Sequence, residues 1–427
     1  MDAIGVRQGA ALPASELERE ILPARVTSYS PADLDTLMAA GEVVWVGVER
    51  IGERDGRVAL YLTGNLSHLL PPRPGTFTLS ERATLVLGAL ERSGALFFAD
   101  LHNAAGGGFP NETLDALWEL VWAGLVTNDT VHPLRAFLRP ADDRKRATSA
   151  DGPPGSPDFL RRFRARTGPT SAGQGRWSLV SSRAIATSNT EWIASMAQQL
   201  LVRYGIVSRE TAAAENLPGA YSVVYPALRT MEESGWIRRG LFVAGMGAAQ
   251  FAMSSAVEML RSLRKEPERP ETVHLAATDP ANPYGALLPW PRPSGENAEA
   301  PHGMARVSGA SVVIVNGALA AFLRRRNPAL RIFLPEEEPD RSRFARALAT
   351  KLAEVAFQRQ LRRSGLLIGE INGHPAREHF LASYLLEAGF ADSALGFQMR
   401  RTSTATMPTP AQEDDADDID GESSEPA

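Results

Sequence analysis

The chain has 427 residues, with 45 Lys and Arg against 50 Asp and Glu, and it has no cysteine. That length exceeds one ordinary core and predicts about two to four domains. The absence of thiols excludes disulfides, zinc–thiolate sites and cysteine nucleophiles, and no apolar run is long enough to span a bilayer. The first residues lack a charged-then-apolar leader pattern, so a cytoplasmic protein without membrane contact is expected. The net charge of −5 is local in origin, because eight acidic residues lie beyond Arg400 against one basic residue, Arg401. The rest is near neutral, which leaves nucleic-acid binding open because affinity depends on local phosphate contacts.

In chain order, residues 1–75 read as an N-terminal α/β linker module. Ser15 is placed as cap of a helix over 16–22, and Ser30 with Pro31 starts a second helix. Two alternating strands follow, over 43–48 and 57–62, joined by the turn Arg54, Asp55, Gly56. Residues 76–140 read as a winged helix: Ser80 caps the helix over 81–91, and Pro110 opens the third helix through Trp122. That third helix is acidic, which favours packing over DNA contact.

Residues 141–176 are rich in Pro, Gly, Arg and Ser and read as a flexible basic loop. Arg161, Arg162 and Arg164 stand there among Phe159 and Phe163. Arginines interleaved with aromatics suit phosphate contact plus base stacking; the alternative is a solvated arm. Residues 177–265 read as a second winged helix, with a helix over 191–204, a third helix over 222–233 and a wing from Gly235. Arg229, Arg238 and Arg239 make this copy the better DNA-facing candidate. Gln250 and Phe251 are read as the start of a further helix.

Residues 266–400 carry short apolar runs over 273–277, 304–307, 311–315, 318–322 and 330–334, with Asn316–Gly317 as a two-residue hairpin turn. They predict a small β-barrel, followed by a C-terminal helix over 340–362 and a closing strand and helix. Residues 401–427 read as a disordered acidic tail. The fold class expected is α+β: tandem winged-helix domains, a small β-barrel and a C-terminal helix-strand-helix module.

Within this part, residues 272–290 stand out. A short strand runs into a loop holding Asp279, Asn282 and Tyr284, stiffened by Pro280, Pro283 and Pro289. Proline fixes φ and holds the preceding residue extended, and a loop kept this rigid suits the placing of side chains. A plain turn, with Asp279 capping a backbone amide, is the simpler alternative.

These residues, with 12–25, 41–47, 245–251 and 366–373, resemble the C-terminal half of the large helicase-related (Lhr) family. The resemblance spans most of residues 10–400. It implies a non-motor part of such a protein, because full-length members carry two motor domains ahead of this region. This chain has no phosphate loop, contains no Gly-Lys pair, and has no Asp-Glu box for magnesium, so ATP hydrolysis is not expected of it. The family's C-terminal half in turn resembles winged-helix DNA glycosylases that have a barrel with a Pro-rich Asp loop, which implies uracil excision as an activity. The paired-glutamine motif of the crosslink-opening members is found only as Gln358-Arg-Gln360, in the late helix.

The function expected is a DNA-binding, motor-less accessory part of an Lhr-type repair helicase, on single-stranded or duplex DNA. One alternative is a DNA glycosylase with Asp279 as carboxylate and Asn282 and Gln250 as holders of water or base. Another is an oligomerisation scaffold for a separate helicase motor chain. Arg161, Arg162, Arg164, Arg229, Arg238, Arg239 and Tyr284 are the nucleic-acid contacts expected. No cofactor is expected, and the seven histidines show no metal-ligand spacing.

Overall fold

A computed structural model describes residues 1–72, 78–139, 171–185, 187–247, 249–291, 303–361 and 365–399. The acidic tail and Arg161, Arg162 and Arg164 lie outside these residues.

The hairpin Val43–Ile51 and Asp55–Leu62 organises the N-terminal part, and Leu12–Pro13 adds a third strand. Helix Pro31–Ala39 precedes it. Ser30 caps this helix and Asp33 closes the reciprocal bond, as a capping box requires. Ser15 is not a cap. Its hydroxyl donates to Asp55 Oδ2 at 2.5 Å, and the helix starts at Ala14 and passes into a π-turn, Leu17–Ile21.

The first three-helix unit consists of Glu81–Ser93, Phe98–Ala104 and Pro110–Trp122. Its sheet has Arg176–Leu179 between Leu96–Phe97 and Val126–Asn128. Residues 177–179, assigned from sequence to the second winged helix, therefore complete the first. One apolar core joins this unit to the hairpin. Trp45 lies 6.4 Å from Trp118 and 6.5 Å from Trp177, ring centre to ring centre.

The second unit holds Asn189–Tyr204, Arg209–Ala214 and Ala220–Glu233, with strand Gln250–Met253 between Ile206–Val207 and Ile237–Gly240. The helix expected to begin at Gln250 begins at Ser254 instead. Pairing on both sides holds Gln250 to Met253 extended and buries Phe251 completely. Gln199 anchors this unit to the N-terminus, donating to the carbonyls of Gly5 and Val6 at 3.1 and 3.0 Å.

The C-terminal part is a six-stranded sheet in the order Thr272–Ala276, Ala310–Val315, Ala318–Arg324, Ala329–Ile332, Glu370–Ile371, His374–Pro375. Asn316 and Gly317, at φ of 47° and 82°, make the tight turn that their sequence predicts. The expected barrel does not close: among the described residues the first and last strands do not pair. The physical reason is the helix Asp340–Leu361, whose Leu348 and Leu352 cover the face bearing Val313 and Leu323. The other face, with Leu275, Val312 and Phe322, lies under Tyr284 and Trp290. The run over 304–307 is loop rather than strand. The fold class is thus α+β with winged-helix domains and an open sheet.

Candidate functional site

The Asp279 loop leaves the first strand of this sheet and turns at once. The amide of Asp279 donates to Ala276 O at 3.0 Å and that of Asn282 to Asp279 O at 2.9 Å. The Asp279 side chain is wholly buried. Both its carboxylate oxygens accept from Arg25, Oδ2 from Nη1 at 2.6 Å and Oδ1 from Nη2, and Oδ1 also accepts the Ala281 amide at 2.8 Å. Arg25 in turn donates to Ile21 O at 2.8 Å. A bidentate guanidinium–carboxylate pair of this kind fixes geometry as well as charge. The carboxylate therefore faces the N-terminal segment, not open space.

Asn282 is 1% exposed and uses its amide locally, donating to Ala277 O at 2.9 Å and accepting from the Tyr284 amide at 3.1 Å. The Tyr284 hydroxyl closes on the hairpin turn, donating to Gly317 O at 3.3 Å and accepting from the Leu319 amide at 3.1 Å. Tyr284 is partly buried and packs against the apolar cluster of the sheet. Gln250 belongs to another sheet. It is completely buried and accepts the amides of Phe242 and Val243, both at 2.9 Å, so it braces the wing loop and does not join Asp279.

The residue that sequence reasoning missed is Arg306. From the loop before Ala310–Val315 it donates to four carbonyls of the Asp279 loop: Asn282 at 2.7 Å, Asp279 at 3.1 Å, and Tyr284 and Thr278 at 3.3 Å. Burial pushes its basicity below the ordinary value; Tyr204 and Asp279 oppose this, and Arg57 adds to it. Nothing in the local pattern marks Arg306, because its partners lie more than twenty residues upstream. A cleft of about 360 Å³ lies between this loop and the second three-helix unit. Arg57, Tyr204, Glu215, Thr278, Asn282 and Arg306 are among its walls. Asp279 is not.

The two third helices differ in what they leave free. Pro110–Trp122 buries Thr113, Ala116, Leu117, Trp118, Leu120, Val121 and Trp122 and is spent on the core. Its Glu112 pairs with Arg82 at 2.9 Å, and Glu119 holds the Ser80 amide at 2.8 Å. Ala220–Glu233 buries only Val224 and Leu228. On that unit Arg229 pairs with Glu233 at 2.9 Å and Arg239 with Glu232 at 3.2 Å, both on exposed side chains or nearly so, and Arg238 is exposed on the wing strand. Among the described residues no group of three or more His, Asp or Glu could hold a metal, and no helix is long and apolar enough to cross a membrane.

Two family models, both described as the winged-helix domain of large helicase-related protein, match residues 1–63 and 186–272. The first match falls on the helices and the three-stranded sheet around Val43–Ile51, where the sequence alone suggests a linker module. Similar curated proteins include "Lhr helicase/ probable uracil glycosylase" of Mycolicibacterium smegmatis, 37% identical over 410 residues, covering 92% of this chain and 26% of that protein. They also include "Lhr helicase/uracil glycosylase" of Escherichia coli, 34% identical over 400 residues, covering 91% of this chain and 25% of that protein. The chain spans about a quarter of the length of these relatives. The chain thus carries matches to two winged-helix domains of the large helicase-related family, and its relatives named as Lhr helicases align along more than nine-tenths of it.

Proposed function

We propose that this chain is a motor-less, nucleic-acid-binding part of an Lhr-type DNA repair protein, docking DNA on its second winged-helix unit. The observation that carries this reading is the contrast between the two third helices: Ala220–Glu233 is largely open beside Arg238 and Arg239, and Pro110–Trp122 is buried. In winged-helix proteins the third helix commonly enters the major groove, and arginines on the wing meet phosphates. ATP hydrolysis belongs to a motor elsewhere, because this chain lacks the phosphate loop such chemistry needs. Fluorescence anisotropy with single-stranded and duplex DNA across a salt series tests the reading. Binding that weakens steeply with salt supports it, and salt-insensitive or absent binding rejects it.

Uracil excision is the second reading, favoured by the names of both relatives, which join a helicase to a uracil glycosylase. Of these two activities, only the second needs no phosphate loop. Excision breaks the bond between the sugar C1′ and the base nitrogen. The bonding pair leaves with uracil as an anion while a carboxylate stabilises the positive sugar, and water adds at C1′, its released proton going to the uracil anion. Asp279 is the candidate carboxylate, paired with Arg25, and for direct contact with the sugar the Arg25 pair must open. The assay is alkali cleavage of DNA containing one uracil, with wild type and Asp279→Asn. Cleavage lost in a folded variant supports Asp279; cleavage retained removes Asp279 from the chemistry.

A further inference from the structure

Two guanidiniums converge on the cleft beside the Asp279 loop without a carboxylate of their own inside it. Arg57 comes from the strand Asp55–Leu62 and Arg306 from the loop before Ala310–Val315. They are near enough for Arg57 to lower the basicity of Arg306. Arg306 is fully used on loop carbonyls. Arg57 is not. Its Nε lies 2.9 Å from Glu49 Oε1, across the hairpin on an exposed side chain, yet makes no aligned hydrogen bond.

Thr278 lines the same cleft, and its hydroxyl is buried and has no hydrogen-bond partner among the described residues. An unused buried hydroxyl costs free energy until a ligand or water meets it. Among the described lining residues the one carboxylate is Glu215, already bound by Arg203 and by the Tyr204 hydroxyl at 2.6 Å. Arg7 is not in the lining; its guanidinium is pushed down to about 10 by burial and by Arg25, against an opposing pull from Asp279. Among the described residues, Arg25 pairs with Asp279, Arg57 with Glu49 and Arg203 with Glu215.

We propose that this cleft is a phosphate site that takes one backbone phosphate of a bound nucleic acid. Arg57 supplies the charge-assisted contact and Thr278 Oγ1 donates a hydrogen bond. Tyr204 and Glu215 belong to the second three-helix unit, so a strand docked on that unit has this cleft at its border. A phosphate held there would set the register of the strand without reading its sequence. The inference rests on the nucleic-acid-binding reading above.

The test compares DNA binding by wild type, Arg57→Gln, Arg57→Lys and Thr278→Val over a salt series, with thermal melts to verify folding. Arg57→Gln is expected to lower affinity about tenfold at low salt and to reduce the slope of log K against log salt by about one. Arg57→Lys should keep the slope, and Thr278→Val should lower affinity by a smaller factor. A scan of single uncharged methylphosphonate linkages should find one that weakens wild type and leaves Arg57→Gln unchanged. If wild type binds DNA and Arg57→Gln matches it in affinity and slope, the cleft is not a phosphate site and the platform reading survives. If wild type binds no DNA, the platform reading itself fails. If inorganic phosphate alone saturates the cleft in an Arg57-dependent way and DNA binding ignores Arg57, the ligand is a free anion and the backbone assignment is overturned.

Discussion

Arg25 and Asp279 lie 254 residues apart in the chain and meet as a buried bidentate ion pair. The pair joins the N-terminal helical segment to the six-stranded sheet. Removing either partner leaves the other charge buried and uncompensated, which costs about 3–5 kcal/mol. Arg25→Met should therefore lower the urea midpoint strongly, as should Asp279→Leu, and the double variant should recover a large part of the loss. A double variant no more stable than the sum of the singles would show that the two residues act independently.

How far the molecule is legible from its residues depends on the range of the interaction. Ser30 and Ser80 cap their helices, and Asn316–Gly317 makes its hairpin, because each signal is complete within a few residues. The loop around Asp279 is visible through its prolines, but its electrostatic partner Arg25 is not. Strand Gln250–Met253 looks like a helix start in sequence because one of the two strands that hold it extended, Ile206–Val207, lies far upstream in the chain. Five short apolar runs suggest a barrel. Nothing in those runs shows that the helix Asp340–Leu361 would cover one face and leave the sheet open.

The open third helix and its wing lead to a comparison of charge reversals. Arg238→Glu with Arg239→Glu should reduce DNA affinity by at least about tenfold and lower the salt slope by about two, because two phosphate contacts are lost. Glu112→Lys, on the buried third helix of the first unit, should leave the slope unchanged although it adds positive charge. Anisotropy titrations at several salt concentrations measure both. Equal effects of the two changes would mean that DNA contacts neither face specifically.

Glu16 adds a pH dependence to stability. Its side chain is almost fully buried, and burial raises its pKa above the ordinary 4.5, although Arg325 and the Gly309 amide pull it down. A carboxyl raised on folding favours the folded state where it is protonated. Its contribution is present below the unfolded pKa and is lost as pH rises through the folded one. Wild type should thus lose part of its stability as pH rises from about 4 through the acidic range. Glu16→Gln, which can still accept the Gly309 amide now met at 2.9 Å, should remove that component. Urea midpoints measured against pH for both proteins decide it, and parallel profiles would clear Glu16 of the effect.

Gly47 tests whether the hairpin and the first three-helix unit form one body. A Cβ at Gly47 would stand 2.2 Å from Val121 O, a backbone atom that cannot swing aside. The helix Pro110–Trp122 must therefore shift to admit alanine, and overpacking of this kind costs about 1–3 kcal/mol, at times more. Gly64 is the control, because a Cβ there would meet nothing within 4 Å, and Gly64→Ala should change stability by less than about 0.5 kcal/mol. The shift also moves Trp118 and Trp122 against Phe137, so the tryptophan fluorescence of Gly47→Ala should change where that of Gly64→Ala does not. Identical melts and spectra for the two variants would mean that hairpin and helix are not packed against each other. The buried state of the acidic third helix, and with it the assignment of DNA contact to the second unit, would then lose its structural basis.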